Sequence, residues 1–128
     1  MEIKIYNSLT NKIEEFHPIE ENKLSIYVCG PTVYNDIHIG NARPVIFFDT
    51  VCRFFKTLGY EVKYVTNFTD IDDKIIKKAK EEGITEKELA EKYIERYLKV
   101  CREFNCEEAS VYPKVTEWIS EITKFIDD

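Results

Sequence analysis

LSIYVCGPTVYNDIHIGNARPVIFFDTVCRFFKTLGYEVKYVT, residues 24–66, is the stretch that decides how this chain folds. Leu24 to Cys29 is rich in β-branched and aromatic residues, and Gly30-Pro31-Thr32 ends the run, because Gly-Pro cannot easily extend a central ladder. Beyond Pro44, the apolar positions Phe47, Phe48, Val51, Phe54, Phe55 and Leu58 recur at steps of three and four, the pattern of a helix that buries one broad face. Pro44 fits the first turn of that helix, where its missing N–H removes no intrahelical bond, and Gly59 is placed to cap its end. Val62, Tyr64 and Val65 mark a second strand over Glu61 to Thr66. Strand, loop, helix and strand in this order predict a right-handed βαβ unit of an α/β fold, with Val33 to Asn41 as its first loop.

Outward from that unit, Ile3 to Tyr6 and Lys12 to Phe16 flank the turn-like Asn7 to Asn11 and read as a hairpin. After Asp70, Ile71, Ile75, Ile76 and Ala79 mark a short helix that Gly83 stops. Thr85 and Glu88 form a capping box for a longer helix, whose face is Leu89, Tyr93, Ile94, Tyr97, Leu98, Cys101 and Phe104. Glu88 with Lys92 and Glu95 with Lys99 are its expected i,i+4 ion pairs. A last helix is expected near Val115 to Ile126.

The length of 128 residues suits one compact domain, and 44% hydrophobic with 33% charged residues excludes a disordered or low-complexity chain. A net charge of −6 argues against a domain whose main work is gripping nucleic acid through a broad basic face. The four cysteines, Cys29, Cys52, Cys101 and Cys106, form no C-x2-C pair of the kind that signals a local zinc site. No apolar run suggests a signal peptide or membrane span, so a cytoplasmic protein with reduced thiols and no membrane partner is expected.

The chemistry concentrates in the loop from Pro31 to Asn41, at the carboxyl end of the first strand and before a helix N-terminus. Ligands of open α/β sheets bind at such places, and a helix N-terminus there favours a phosphate chain. Taken alone, His38 with Gly40 reads first as a structural histidine beside a helix-capping Gly or Asn. The run Asp70, Asp72 and Asp73 could suggest magnesium, but Asp72 and Asp73 read as N-terminal charge favouring the next helix. Cys52 and Cys101 fall on apolar helix faces and read as core, whereas Cys106, at a helix end, is open to exposure. Lys74, Lys77, Lys78 and Lys80 read as solvated helix surface, and His17 as a loop residue.

Four pieces together, Y-V-C-G-P-T-V-Y, H-I-G-N-A-R-P, N-x-T-D-I-D-D-K-I-I and P-K-V-T-E, resemble cysteinyl-tRNA synthetases over almost the whole chain. The resemblance implies the N-terminal half of a class I synthetase Rossmann-like parallel-sheet domain over residues 1–83, followed by helices over residues 84–128 that lead into the connective insertion. His38 to Asn41 would be the HIGH signature, with Asn41 in place of its last histidine. By this resemblance His38 and Asn41 are the catalytic candidates, and Thr32, His38, Gly40 and Asn41 would meet ATP, with the backbone of Gly40 and Asn41 donating to phosphate oxygens. Cys29, Gly30 and Thr69 would hold cysteine, with Asn67 and Asp70 beside Thr69 at the end of the second strand, and Cys29 would be the first zinc ligand, the others lying outside this chain.

The implied reaction activates L-cysteine with ATP and Mg2+ and passes the acyl group to tRNA(Cys), in a protein expected to be monomeric. An attacking carboxylate with a pKa of roughly 3.5 is already ionised at neutral pH, so the protein's work is placement and charge stabilisation. Two other readings fit the same residues: a cysteine ligase with a non-tRNA amine acceptor, and a nucleotide-binding module without turnover. The 128 residues are expected to be a fragment, weakly active or inactive alone, because the second signature loop and the remaining zinc ligands are not among them.

Overall fold

The computed structural model describes residues 2–127. Strands β1 (Lys4–Asn7) and β2 (Lys12–Glu15) form the antiparallel hairpin expected at the N-terminus. Strand β3 (Lys23–Val28), helix α1 (Ile39–Thr57) and strand β4 (Glu61–Thr66) follow, with β3 and β4 parallel in a register that sets Lys23 opposite Glu61 and Val28 opposite Thr66. Helices α2 (Asp73–Glu82) and α3 (Glu86–Glu103), a 3-10 turn (Val115–Glu117) and helix α4 (Ile119–Asp127) complete the described chain. None of the helices is long and apolar enough to cross a membrane.

Helix α1 begins earlier than its apolar spacing predicts. His38 is its N-cap, so Ile39, Gly40 and Asn41 form a helical turn where a loop was expected. Pro44 consequently sits beyond the first turn and takes away the N–H that would have reached the Gly40 carbonyl. Gly40 is exposed, which lets water satisfy that oxygen. The far end closes as expected: Gly59 has φ +86°, its N–H donates to the Lys56 carbonyl at 3.0 Å, and Tyr60 N donates to the Phe55 carbonyl at 3.1 Å. These paired bonds make a Schellman motif, which uses two orphan carbonyls and turns the chain into β4.

Residues 110–115 supply an unexpected element. They run beside β4 in parallel sense, with Ser110 N donating to Tyr64 O at 2.7 Å, Phe68 N to Pro113 O at 2.9 Å and Val115 N to Phe68 O at 3.2 Å. This attachment explains why the predicted helix from Val115 to Ile126 is split. Thr116 donates through both its N and Oγ1 to the Asp70 carboxylate, so the first residues of that segment are held to the sheet rather than to the next turn. A 3-10 turn results, and α4 starts only after Trp118.

Alternation along the paired strands decides what is covered. Leu24, Thr66 and Phe68 are buried, whereas Tyr27, on the other face, is exposed. On the covered side, Val33, Phe68, Ile75, Ala79, Leu89, Tyr93, Tyr97 and Cys101 form one core, joining residues on both sides of Gly83. Phe68 stacks on Tyr112 at 5.2 Å and meets the Tyr97 ring edge-on at 5.4 Å. The hairpin joins through Phe16, whose ring meets Phe55 of α1 at 5.4 Å. Cys52 and Cys101 are core as expected, but Cys106 is buried too.

The cap assignments at α2 and α3 hold. Asp72 accepts from Lys74 N at 2.8 Å, Gly83 has φ +69°, and Thr85 and Glu88 satisfy each other's backbone N–H. The expected surface pairs do not form. Glu88 spends its carboxylate on Thr85, so Lys92 reaches Glu82 of α2 at 2.8 Å, and Lys99 pairs with Glu103 instead of Glu95.

Candidate functional site

A small cavity of about 110 Å³ opens where the carboxyl end of β3 meets the first turn of α1. Cys29, Gly30, Gly40, Asn41 and Pro44 line it, with Thr66 and Tyr97 at its base. The structure thus brings together Cys29, Gly30, Gly40 and Asn41, four of the residues singled out in the sequence. His38, the cap of α1, does not line it. Thr32 and Thr69 face each other as a parallel bridge just beyond, through Val33 N to Thr69 O and Thr69 N to Pro31 O, each 3.1 Å.

The His38 cap fixes its own chemistry. Gly40 N donates to His38 Nδ1 at 3.0 Å, and a backbone N–H can only donate, so Nδ1 is the lone-pair nitrogen and the neutral ring carries its proton on Nε2. In return His38 N donates to Asn41 Oδ1 at 3.3 Å, which leaves the Asn41 Nδ2 as a donor. Asn41 N donates to His38 O at 2.9 Å. The backbone N–H groups of Gly40 and Asn41, expected to face an anion, are therefore already occupied within the cap. What this turn offers instead is the His38 Nε2–H, the Asn41 Nδ2 and the positive end of a long helix.

Gly30 is packed against the other strand. A Cβ there would lie 1.7 Å from Asn67 O and 3.0 Å from Thr66 Oγ1, so only glycine lets the two strand ends approach this closely. Its N–H donates to Asn67 Oδ1 at 2.8 Å, and Asn67 Oδ1 also accepts from the Tyr27 hydroxyl at 3.0 Å. Asn67 Nδ2 in turn reaches Thr69 Oγ1 at 3.4 Å.

The thiols divide sharply. Burial pushes the Cys52 and Cys106 thiols up from the ordinary range and takes Cys101 to about 11. Cys29 is exposed, with its Sγ only 3.8 Å from the Gly30 carbonyl. Among the described residues no group of three or more His, Cys, Asp or Glu side chains is arranged to hold a metal, so Cys29 belongs to no such set. Asp70 is bound by Thr116 and Asp72 by Lys74 N, which accounts for the acidic run as structure.

The family model for the catalytic domain of class I (C) tRNA synthetases matches residues 15–128. The chain belongs to that family. Curated cysteine–tRNA ligases agree along nearly its whole length: that of Finegoldia magna is 56% identical over 125 residues and that of Carboxydothermus hydrogenoformans 58% over 124, each alignment covering 97% of this chain. The chain spans about 27% of the length of these relatives. Methionyl-tRNA synthetase of Mycobacterium tuberculosis, solved with methionyl-adenylate, superposes with a TM-score of 0.64 at 18% identity, covering 73% of this chain and 18% of that one. That likeness shows the fold, a class I synthetase parallel-sheet half. In this family setting the cavity at Cys29, Gly30 and Gly40 lies at the strand ends, as the α/β fold requires of a ligand site.

The sequence sets Asn67 and Asp70 beside Thr69 at the end of the second strand, but not the bonds each of them makes. The clasp of Thr116 on Asp70 had no local signal, since the partners lie 46 residues apart.

Proposed function

We propose that this chain carries the nucleotide-facing half of an ATP-dependent cysteine–tRNA ligase. The observation that carries the reading is the convergence of Cys29 and Gly30, just after β3, with Gly40 and Asn41 of the first turn of α1 on one cavity, in a chain of this family. Residues 1–83 correspond to the N-terminal half of the nucleotide-binding domain, and residues 84–128 lead toward the connective insertion, with α3, Cys106 and Tyr112 packing back on the same core.

In this reading the substrates are L-cysteine, ATP with Mg2+ and, for the full-length protein, tRNA(Cys). His38 Nε2–H and Asn41 Nδ2 donate to the phosphate oxygens whose charge grows as the cysteine carboxylate attacks the α-phosphorus and the bond to the departing pyrophosphate breaks. Gly40 leaves room for ribose or base, Thr32 adds a hydroxyl donor, and Thr69 with the Gly30 backbone positions the amino acid.

Zinc fits the exposed Cys29 as one ligand of a set completed by residues outside this chain. When bound, it supplies a preference for thiolate over hydroxyl, which separates cysteine from serine. The protein works as a monomer in the cytoplasm.

The test is cysteine-dependent ATP–pyrophosphate exchange by the full-length protein. Exchange is expected, falling on the order of a hundredfold in His38→Ala. The 128-residue chain alone is expected to show little. Absence of cysteine-dependent exchange in the full-length protein would overturn the reading.

A further inference from the structure

The geometry points to Asn67 as a positioning residue that fixes the hydrogen-bond polarity of the Thr69 hydroxyl, making Thr69 a donor to the amino-acid substrate. This rests on the ligase reading for its substrate, but the bonding argument stands on the chain alone.

The amide of Asn67 has only one orientation compatible with its neighbours. Gly30 N lies 2.8 Å from one end, and a backbone N–H can only donate, so that end must be Oδ1. The Tyr27 hydroxyl donates to the same oxygen at 3.0 Å. The other end, 3.4 Å from Thr69 Oγ1, is then Nδ2, which can only donate. Thr69 Oγ1 must therefore accept. Its own proton is not engaged by any hydrogen bond among the described residues, and its backbone is pinned on both sides, by Val33 N to Thr69 O and Thr69 N to Pro31 O.

The consequence is directional. Thr69 presents an O–H, matched to an acceptor such as a substrate carboxylate, and a group offering only N–H would meet a donor. One side chain thereby links the peptide after Cys29, the exposed Tyr27 ring and the Thr69 hydroxyl. Asn67 acts through Thr69 and through the Gly30 peptide.

Asn67→Asp inverts the polarity while keeping the shape. One carboxylate oxygen still accepts from Gly30 N and Tyr27, while the other now accepts from Thr69 and withdraws its proton. In the full-length protein, KM for cysteine in pyrophosphate exchange should rise roughly tenfold in Asn67→Asp, the value of one hydrogen bond to a charged group, with KM for ATP unchanged. Thr69→Val should give the same rise, and the double variant should be no worse than Thr69→Val alone. Multiplying effects in the double variant, or an equal change in KM for ATP, would overturn the role of Asn67.

The 128-residue chain supplies an arm that needs no activity. Hydrogen exchange of the Gly30 amide should be slow in the parent and in Asn67→Asp, and fast in Asn67→Leu. Equal exchange in all three would overturn the assigned orientation. If the full-length parent shows no cysteine-dependent exchange, the ligase reading fails, and the Gly30 measurement still decides the bonding.

Discussion

Gly30→Ala and Gly40→Ala add the same methyl group to two glycines of the same cavity, yet the structure demands opposite outcomes. At Gly30 the new Cβ lies 1.7 Å from Asn67 O and 2.8 Å from Asn67 C, both backbone atoms. Reaching even a tight contact requires the ends of β3 and β4 to part by more than an ångström, which breaks the bond from Gly30 N to Asn67 Oδ1. Overpacking of this kind costs roughly 1–3 kcal/mol and the hydrogen bond about 1 kcal/mol more, so a loss on the order of 3 kcal/mol is expected. At Gly40 the nearest atoms are Cε1 and Nδ1 of His38, at 2.8 Å and 3.0 Å, the far end of an exposed side chain that can swing away. Losing the cap costs about 1 kcal/mol, and replacing a helical glycine by alanine regains roughly 0.5–1 kcal/mol, so Gly40→Ala should stay within about 1 kcal/mol of the parent. Equilibrium urea unfolding of the three chains measures both. A Gly30→Ala chain within about 0.5 kcal/mol of the parent, or a Gly40→Ala chain destabilised as much as Gly30→Ala, would refute the packing argument.

Two further outcomes follow from the buried titratable groups. Burial raises Cys101 from an ordinary 9.0 to about 11 and Tyr64 from 10.0 to about 12. Between these values the unfolded chain has released the proton and the folded chain still holds it, so stability is intact below pH 9 and falls as pH rises, by up to about 1.4 kcal/mol per unit and group. Urea midpoints measured across that window should decline, and a flat profile would contradict the burial of these groups. In the native chain, iodoacetamide should modify Cys29 alone, because Cys52, Cys101 and Cys106 are buried with raised thiol pKa values. Peptide mapping that finds a second native-state site would show that the core opens more readily than its packing implies.

The βαβ unit was legible because each of its signals is local: an apolar strand stopped by Gly-Pro, a helical face at steps of three and four, and a glycine at the turn into β4. The start of α1 was misplaced because apolar periodicity begins only after Pro44, while the helix is nucleated by a polar reciprocal cap between His38 and Asn41. A histidine is not among the usual N-cap residues, so nothing in the local pattern announced it. The bridged segment at 110–115 was hidden for a different reason. It pairs with β4 across the whole of α2 and α3, and long-range pairing leaves no period in either partner. In the site, Cys29, Gly30, Gly40 and Asn41 were named from the resemblance to cysteinyl-tRNA synthetases. Their hydrogen-bond directions, which decide what each can donate, became readable only once Gly30 was seen against Asn67 and Gly40 against His38.

The two nitrogens of His38 do different work, and this allows cap and ligand chemistry to be separated. Nδ1 closes the helix by accepting from Gly40 N at 3.0 Å, and Nε2 carries the proton available to an anion. His38→Ala removes both functions, so a loss of exchange in that variant cannot be assigned to either one. Asparagine is among the strongest N-cap residues and has no group reaching as far as Nε2. His38→Asn should therefore hold stability within about 0.5 kcal/mol of the parent, whereas His38→Ala should lose about 1 kcal/mol. In the full-length protein both variants should lose pyrophosphate exchange on the order of a hundredfold, because both lack the ring donor. If His38→Asn restores stability and exchange together, the histidine serves only to start α1, and the charge on the phosphate must be met by Asn41, the helix terminus and groups outside this chain.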